Sequence, residues 1–309
     1  MAETITLTVP EESRGTRLDT FLAERLAPVS RSRVRRWIEA GCVQVDGRTL
    51  KPGHALSGGQ TVAVLPPRPE PSELIPEDLP LDILYEDDCM VVLNKQAGVV
   101  VHPGAGNWRG TLANALAFHW KSLSFEGSLR PGIVHRLDKG TSGVLLVAKN
   151  ETSHEALARE FRERRVRKVY LALLHGRIRP PAGEIDLAIG RDRKVRTKIS
   201  SRTDRPRSSV TRYELIRPFA SFSLVRAFPV TGRTHQIRVH FHHLGYPVVG
   251  DPTYTRKGLS SRSGPVSRLE RMFLHASSIA IRHPLTGETM EFEAPLPTVL
   301  EELIATLGE

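Results

Sequence analysis

The segment HRLDKGTSGVLLVAK, residues His135 to Lys149, places an aspartate among turn residues directly before an apolar run. The apolar part, GVLLVAK, is typical of a buried strand. Gly140 and Gly143 allow a tight turn and a close approach of a ligand to the backbone. A carboxylate on such a turn, here Asp138, can act as a nucleophile or as a base. Spacing alone does not distinguish these catalytic roles from that of an ordinary structural salt bridge.

The charge of the chain indicates a polyanionic partner. The 309 residues include 44 Lys and Arg against 34 Asp and Glu, a net charge of +10. RNA or DNA is the first candidate and an anionic membrane surface the second. Nucleic acid is favoured, because no apolar stretch approaches the roughly 18 residues of a membrane span. The absence of a signal-peptide pattern and the two cysteines without CxxC spacing lead us to expect a cytoplasmic protein.

A phosphoryl-transfer function for Asp138 is disfavoured. The order Asp-Lys-Gly-Thr at residues 138–141 is similar to an aspartyl-phosphate acceptor. That chemistry needs Mg²⁺ held by further carboxylates, and Asp251 in GDPTY is the one downstream candidate. The segment also lacks the order of a nucleoside-triphosphate phosphate loop.

A zinc site is disfavoured as well. The histidines of THQIRVHFHHLG are His235, His240, His242 and His243. His235 has no histidine four residues later, and the segment contains no acidic residue, so the usual spacing of helical zinc ligands is missing. We expect a helix instead, with Ile237, Phe241 and Leu244 toward the core and the histidines at its edge or near RNA phosphates.

The elements that must position these residues fall into two parts. We predict a small N-terminal domain, residues 1–66, then a proline-rich linker, 67–80, and a large domain, 81–309. MVVLNK, GVVVHP, RKVYLALLHG and SFSLVRAFPV are predicted as strands. Strands and helices do not alternate regularly, so the fold class is predicted to be α+β.

The N-terminal domain carries an arginine-rich helix. Apolar residues at helical spacing predict two short helices, and Val43, Val45 and Thr61–Val64 predict a small sheet. Arg31, Arg33, Arg35 and Arg36 alternate with apolar positions and would lie toward solvent. A solvated helix face explains this pattern too. The stretch from Arg14 to Leu65 resembles the alpha-L RNA-binding module, and that resemblance implies a small α/β RNA-binding domain.

The large domain resembles a known enzyme family. The ordered motifs are YEDDCMVVLNKQAGVVVHPG, PGIVHRLDKGTSGVLLVAKN, RKVYLALLHG, PVTGRTHQIRVHFHHLGYPVVGDPTY and FLHA. Together they resemble the RNA pseudouridine synthases of the RluA/RluD type. The resemblance implies a mixed, mainly antiparallel sheet with helices and loops around a central cleft.

The resemblance also implies roles for single residues. Asp138 matches the catalytic aspartate, and Arg238 matches the basic residue that pairs with it. Tyr170 matches a tyrosine that stacks on the base, although a core tyrosine is an alternative. Arg136 matches the arginine that replaces the flipped nucleotide in the RNA stack, and Arg233 is a further candidate for RNA binding. The reaction that the resemblance implies, conversion of uridine to pseudouridine, is an isomerisation without a redox step. We therefore expect no cofactor and no metal.

The partner expected from the resemblance is large-subunit (23S-type) ribosomal RNA. We expect the protein to be a monomer, although no sequence pattern bears on its oligomeric state. Transfer RNA as the substrate and a catalytically idle RNA-binding ribosome-assembly factor are the alternatives. The basic segment from Gly190 to Val210 has the composition of a mobile surface loop. The resemblance suggests an RNA clamp there instead, and the sequence does not decide between the two.

Overall fold

A computed structural model describes residues 4–66, 74–104, 106–120, 130–255 and 265–308. The chain forms two compact units, Met1–Ser72 and Glu73–Glu309. No helix in these described ranges is long and apolar enough to cross a lipid bilayer.

The first unit has two helices and a three-stranded antiparallel sheet. The elements are β1 (Ile5–Thr8), α1 (Leu18–Arg25), α2 (Arg31–Glu39), β2 (Val43–Val45) and β3 (Thr61–Val64). The strand order is β1-β3-β2. Apolar residues of both helices pack on the sheet in one core, because they recur at the 3.6-residue period. The predicted helices and small sheet are present, and β1 is an addition that the sequence did not suggest.

The second unit is built on a large mixed sheet. Its strands are β4 (Ile83–Glu86), β5 (Met90–Lys95), β6 (Ser142–Ala148), β7 (Arg167–His175), β8 (Ala182–Asp186), β9 (Gly190–Arg191), β10 (Ile199–Ser200), β11 (Val210–Pro218), β12 (Phe222–Pro229), β13 (Leu274–Arg282) and β14 (Thr289–Glu293). Its helices are α3 (Leu112–His119), α4 (Glu151–Arg162), α5 (Gln236–Leu244) and α6 (Thr298–Gly308). The sheet order is β4-β5-β6-β13-β7-β12-β11-β8, with β14 beside β13, while β9 and β10 pair separately. The predicted α+β class is confirmed.

Strand β6 lies in the middle of the sheet and is buried along its whole length. Leu145 and Val147 face one core, with Leu116 of α3, whereas Leu146 faces the other, with Leu157 of α4. Strands covered on both faces read as continuous apolar runs, which is the pattern of GVLLVAK. The prediction of a core strand here is confirmed.

Two local predictions are wrong. GVVVHP forms no strand; Val100 makes one isolated bridge to Thr111. The chain leaves the sheet at Gly98, which has φ 92° and donates its N–H to the carbonyl of Lys139 instead of to a strand. On α5, Ile237 and Phe241 are buried as expected, but Leu244 is exposed and His240 is fully buried. His240 lies inside because its Nε2 has polar partners there, Leu187 O at 3.2 Å among them.

Of the predicted linker, 67–80, the structure describes only residues 74–80, because residues 67–73 lie outside the described residues. Residues 74–80 belong to the second unit. The side-chain amide of Asn114 donates to Ile75 O at 2.7 Å, and Glu77 N donates to Asn114 O at 3.0 Å. Pro76 and Pro80 therefore lie in a segment that packs on α3.

Candidate active site

Asp138 lies on a turn immediately before β6. Its carbonyl accepts the N–H of Thr141 at 3.0 Å, which closes the turn. Gly143, the second residue of β6, has φ 111°, and a Cβ there would lie 2.1 Å from the carbonyl oxygen of Ala276. Only glycine allows β6 to approach β13 so closely in their parallel pairing. The sheet thereby fixes the direction of the Asp138 loop.

Arg238, in the first turn of α5, holds the Asp138 carboxylate. Its Nη1 donates to Asp138 Oδ2 at 3.0 Å, and its Nε and Nη2 donate to both oxygens of Asp251, at 2.7 and 2.9 Å. Burial disfavours the charge of this guanidinium. Its hydrogen bonds and charge interactions with Asp251 and Asp138 outweigh burial and raise the pKa of Arg238. The result is a permanent cation fixed against the carboxylate of Asp138.

Asp251 orients Arg238 from the other side. It is fully buried, and its Oδ1 also accepts the N–H groups of Thr253 and Tyr254. Burial alone would raise the pKa of Asp251, but the hydrogen bond and charge of Arg238 lower it. From its motif, Asp251 is predicted only as a candidate partner in phosphoryl transfer, and its contact with Arg238 is not expected from the sequence. The signal was available in the GDPTY motif, which follows the Arg238 helix.

His235 and Tyr254 complete the surroundings of Asp138. His235 Nε2 lies 3.9 Å from Asp138 Oδ2, and its Nδ1 is hydrogen-bonded to the Tyr254 hydroxyl at 2.8 Å. The Tyr254 ring lies 5.0 Å from Cζ of Arg238, in cation–π contact. Burial lowers the pKa of His235, although the charge of Asp138 acts in the opposite direction. Neither residue was proposed for this position from the sequence.

A cavity of about 600 Å³ opens above these groups. The structure brings together all five site residues predicted for the large domain, since they line this one cavity: Arg136, Asp138, Tyr170, Arg233 and Arg238. Further cations line it as well, namely Arg130, Arg162, Arg164 and Lys168. Burial lowers the pKa of Lys168 to about 8. The site is a carboxylate within a basic cavity, which suits a polyanionic ligand.

Tyr170 stands on β7 between Ala227 of β12 and Ala276 of β13. Two small neighbours leave its ring free to border the cavity. Burial, and then the charge of Asp138, raise the pKa of Tyr170. Tyr170 is therefore a neutral phenol at physiological pH, which offers an aromatic face and a hydroxyl.

Two histidines of the cavity wall, His102 and His135, have lowered pKa values. Burial lowers the pKa of His102 to about 4 and that of His135 to about 3. His135 accepts the N–H of Leu146 at 2.8 Å and stacks on Phe161, with ring centroids 4.7 Å apart. His135, the first residue of HRLD, thus connects the Asp138 loop to β6 and to α4.

The arginines predicted for RNA binding in the first unit are all exposed on α2. Arg31 donates to both oxygens of Asp19 at 3.2 Å, and Arg35 lies 4.0 Å from the same carboxylate. Asp19 is fully buried, and its pKa is lowered first by a hydrogen bond from Arg17. Arg33 lies over the ring of Trp37 at 5.8 Å. Asp19, which no sequence pattern singles out, anchors one side of this basic surface.

One group in the described part of the chain has the composition of a metal site. Ligand atoms of Asp87, Cys89 and His283 lie within 4.8 Å of one another. His283 Nδ1 accepts the N–H of Thr286 at 3.1 Å, so the ring proton is on Nε2, which donates to Asp87 at 2.8 Å. A metal on Nε2 would place a proton on Nδ1 against that backbone N–H. The group fits a hydrogen-bond network better than a metal ion.

Comparison with known proteins identifies the class of this molecule. A family model described as RNA pseudouridylate synthase matches residues 89–243, and an S4 domain model matches residues 16–62. The class is therefore an RNA-modifying isomerase that carries an RNA-binding S4 domain. The chain belongs to the RNA pseudouridine synthase family of the RluA/RluD type.

Individual relatives agree with this assignment. The chain is 42% identical to an uncharacterized RNA pseudouridine synthase, YlyB, of Bacillus subtilis, over 98% of each chain. It is 41% identical to a protein named ribosomal large subunit pseudouridine synthase D of Neisseria meningitidis serogroup B, covering 98% of this chain and 82% of the relative. Among solved structures, human RNA pseudouridylate synthase domain containing 1 matches with a TM-score of 0.58 and 31% identity, over 74% of this chain and 95% of that one. The resemblance predicted from the motifs is confirmed.

Proposed function

We propose that this enzyme converts specific uridines of large-subunit ribosomal RNA into pseudouridine, with Asp138 as the catalytic residue. The RNA class is supported by several relatives named ribosomal large subunit pseudouridine synthase D, which match nearly the whole chain. The observation that carries the catalytic role is the 3.0 Å contact of Arg238 with Asp138 in the wall of a basic cavity.

The reaction breaks the bond from ribose C1′ to N1 of uracil and forms a bond from C1′ to C5. The proton on C5 leaves, and N1 gains a proton, so no redox partner is consumed. A carboxylate can assist by adding to C1′ or by removing a proton from the sugar. Both routes require Asp138 to be ionised in a partly dry site. Arg238 meets that requirement, because its positive charge is fixed against the carboxylate.

The detached uracil must stay bound while it turns, and Tyr170 provides a surface for this. An aromatic face holds a base without requiring particular hydrogen bonds. With its pKa raised, the Tyr170 phenol is protonated and serves better as a platform and donor than as a base. The target nucleotide must leave the RNA stack to reach the cavity. Exposed Arg136 lies at the cavity, where it can fill the gap left in the stack.

The remaining cations contact the RNA backbone in this proposal. Arg233 lines the cavity and is exposed. In the first unit, Arg31, Arg33, Arg35 and Arg36 extend from α2 and are accessible to phosphates. Phosphate contacts of this kind set position and affinity without reading sequence.

Release of tritium from uracil labelled at C5 tests the proposal. Wild type should release label from large-subunit RNA transcripts, and Asp138→Asn should lower the rate ~10²–10⁴-fold while still binding RNA. Asp88→Asn is the matched control, because Asp88 is an exposed aspartate outside the cavity lining. Release by Asp138→Asn at the control rate would disprove the catalytic assignment.

The substrate is tested separately. Pseudouridine mapping in a deletion strain should show sites missing from large-subunit ribosomal RNA. Sites missing from transfer RNA alone would keep the enzymatic assignment and overturn the substrate. A deletion strain in which no pseudouridine is lost would favour an idle RNA-binding factor.

A further inference from the structure

His235 stands in a backbone conformation that residues with a side chain rarely adopt. Its φ is 56°, in the left-handed region, directly before α5. Such strain persists only where the surroundings fix the residue, and it concentrates at functional sites. The side chain lines the active-site cavity and is 23% exposed there, so a ligand can reach it. Neither proposed route for the reaction uses this ring.

Tyr254 determines which nitrogen of His235 carries the proton. Its hydroxyl accepts the N–H of Ile199 at 3.0 Å, and Tyr254 is only 5% exposed. In the described part of the chain, His235 Nδ1, at 2.8 Å, is the one hydrogen-bonded group that can accept the hydroxyl's own proton. A ring that accepts on Nδ1 is neutral and carries its proton on Nε2. Burial, the largest influence on the pKa of His235, lowers that pKa and so favours this neutral form.

The Nε2–H group and the Asp138 carboxylate form an adjacent donor and acceptor. His235 Nε2 lies 3.9 Å from Asp138 Oδ2, which is too far for a direct hydrogen bond. A ligand atom at about 2.8 Å from both would join them. That atom must accept from Nε2–H and donate to Oδ2, which a hydroxyl can do and a carbonyl or ether oxygen cannot. The pair is therefore complementary to a hydroxyl group.

The chemistry of an RNA chain identifies the hydroxyl. Within the chain, O3′ and O5′ of a nucleotide are bonded to phosphorus and O4′ is an ether, so the 2′-hydroxyl is the one hydroxyl of its sugar. It is attached to C2′, the neighbour of C1′, where the bond to uracil breaks. A group beside Asp138 is therefore well placed to contact it. The 2′-hydroxyl both donates and accepts, and it distinguishes RNA from DNA.

We propose that His235 and Asp138 together bind the 2′-hydroxyl of the target uridine, with His235 Nε2–H as the donor and Asp138 Oδ2 as the acceptor. Oδ2 can accept this hydroxyl besides Arg238, because a carboxylate oxygen has two lone pairs. Oδ1 is then left for the reacting sugar atoms. His235 thereby makes the enzyme selective for a ribonucleotide at the target position. This inference rests on the proposed function, since it adds a contact to the same nucleotide.

Two substitutions of His235 separate the donor from the structural contact. His235→Asn tolerates positive φ and keeps an oxygen near the place of Nδ1 to accept the Tyr254 hydroxyl, but it is too short to replace Nε2–H. His235→Gln brings its amide N–H close to the place of Nε2 and loses the acceptor for Tyr254. His243→Asn is the matched control, because His243 is an exposed histidine of α5 outside the cavity lining.

The test uses two RNA hairpins that differ by one oxygen atom. Both contain a uridine that wild type modifies in large-subunit transcripts, with tritium at C5 of its uracil, and the target sugar is either ribose or 2′-deoxyribose. The ratio of kcat/KM for the two hairpins is compared between enzymes, which cancels the intrinsic difference in reactivity of the two sugars. His235→Asn should lower the wild-type preference for ribose about 3- to 10-fold. His235→Gln and the control should change it less than about two-fold.

The outcomes distinguish the contact from the function. An unchanged ratio in His235→Asn would overturn the contact, whatever the absolute rate. A loss in His235→Gln as large as that in His235→Asn would also overturn it, because His235 would then act through Tyr254 rather than through Nε2–H. Wild type that releases label while either result is found refutes the contact alone. Wild type that releases no label from any RNA refutes the proposed function, and the contact falls with it.

Discussion

Lys95 gives a prediction about pH and stability. It ends β5, is 3% exposed, and donates from Nζ to two carbonyls, Gln96 O at 2.8 Å and Val99 O at 3.0 Å. No carboxylate pairs with it among the described residues. Burial, and then the charge of Arg271, lower the pKa of Lys95 to about 7, although the charge of Asp138 acts in the opposite direction.

The sign follows from proton counting. In the unfolded chain the lysine pKa is near its ordinary value of 10.5, and in the folded chain it is about 7. Between these values the unfolded state binds more protons, so the free energy of unfolding rises with pH. Each pH unit is worth about 1.4 kcal/mol in the middle of this interval. From about pH 7 to about pH 9 the contribution of Lys95 to stability should rise by about 2 kcal/mol.

The assay compares wild type with Lys95→Met, which is one atom shorter, unbranched and uncharged. Both proteins carry Trp37→Phe, because the remaining tryptophans, Trp108 and Trp120, then report only on the second unit. Denaturant unfolding is measured at about pH 7 and about pH 9. Lys168, with its pKa lowered to about 8, contributes to both proteins equally, so it cancels in the difference.

The difference in unfolding free energy between Lys95→Met and wild type should shift by about 2 kcal/mol toward wild type as the pH rises. Lys194→Met is the control, because Lys194 is exposed and should give a constant difference. Parallel pH dependence of wild type and Lys95→Met would refute the reasoning, since it would mean that Lys95 keeps an ordinary pKa in the fold.

Two further substitutions test the residues that position the Asp138 loop and Arg238. Gly143→Ala should destabilise the second unit by more than about 2 kcal/mol in denaturant unfolding, because the new Cβ meets Ala276 O in addition to the unfavourable φ. Gly287→Ala has positive φ and open space, so it should lose only about 1 kcal/mol, and equal losses would exclude the clash. Asp251→Asn should lower stability by about 3 kcal/mol near neutral pH and reduce kcat with little change in KM. Its stability deficit should shrink as the pH falls through the lowered pKa of Asp251, and an unchanged kcat would show that Arg238 needs no such support.

Much of the local structure could be predicted from sequence. Strands β5, β6, β7 and β12 follow from apolar runs, and the two helices of the first unit follow from helical spacing. These patterns are local, because burial of a strand or a helix face is written into neighbouring residues. GVVVHP shows the limit: it is as apolar as a strand, but Gly98 directs it to the Asp138 loop.

The site could be predicted only in part. The family resemblance placed Asp138, Tyr170 and Arg238 together, and the structure brings them to one cavity, while their catalytic roles stay predictions. Asp138 and Arg238 are 100 residues apart, so no local pattern links them. The contact of Asp251 with Arg238 and the burial of Lys95 were not predicted, because they depend on partners that only the fold supplies.

The segment from Gly190 to Val210 shows which properties the sequence determines and which depend on the tertiary structure. Its sequence determines the positive charge, and with it an attraction for RNA, because charge depends on composition alone. The sequence could not determine whether the segment is ordered, since its polar residues form no apolar pattern. The tertiary structure shows that it contains an ordered β9–β10 hairpin, and the hydroxyl of Tyr254, 55 residues from Ile199, accepts the Ile199 N–H of that hairpin. A contact between such distant residues exists only once the chain has folded.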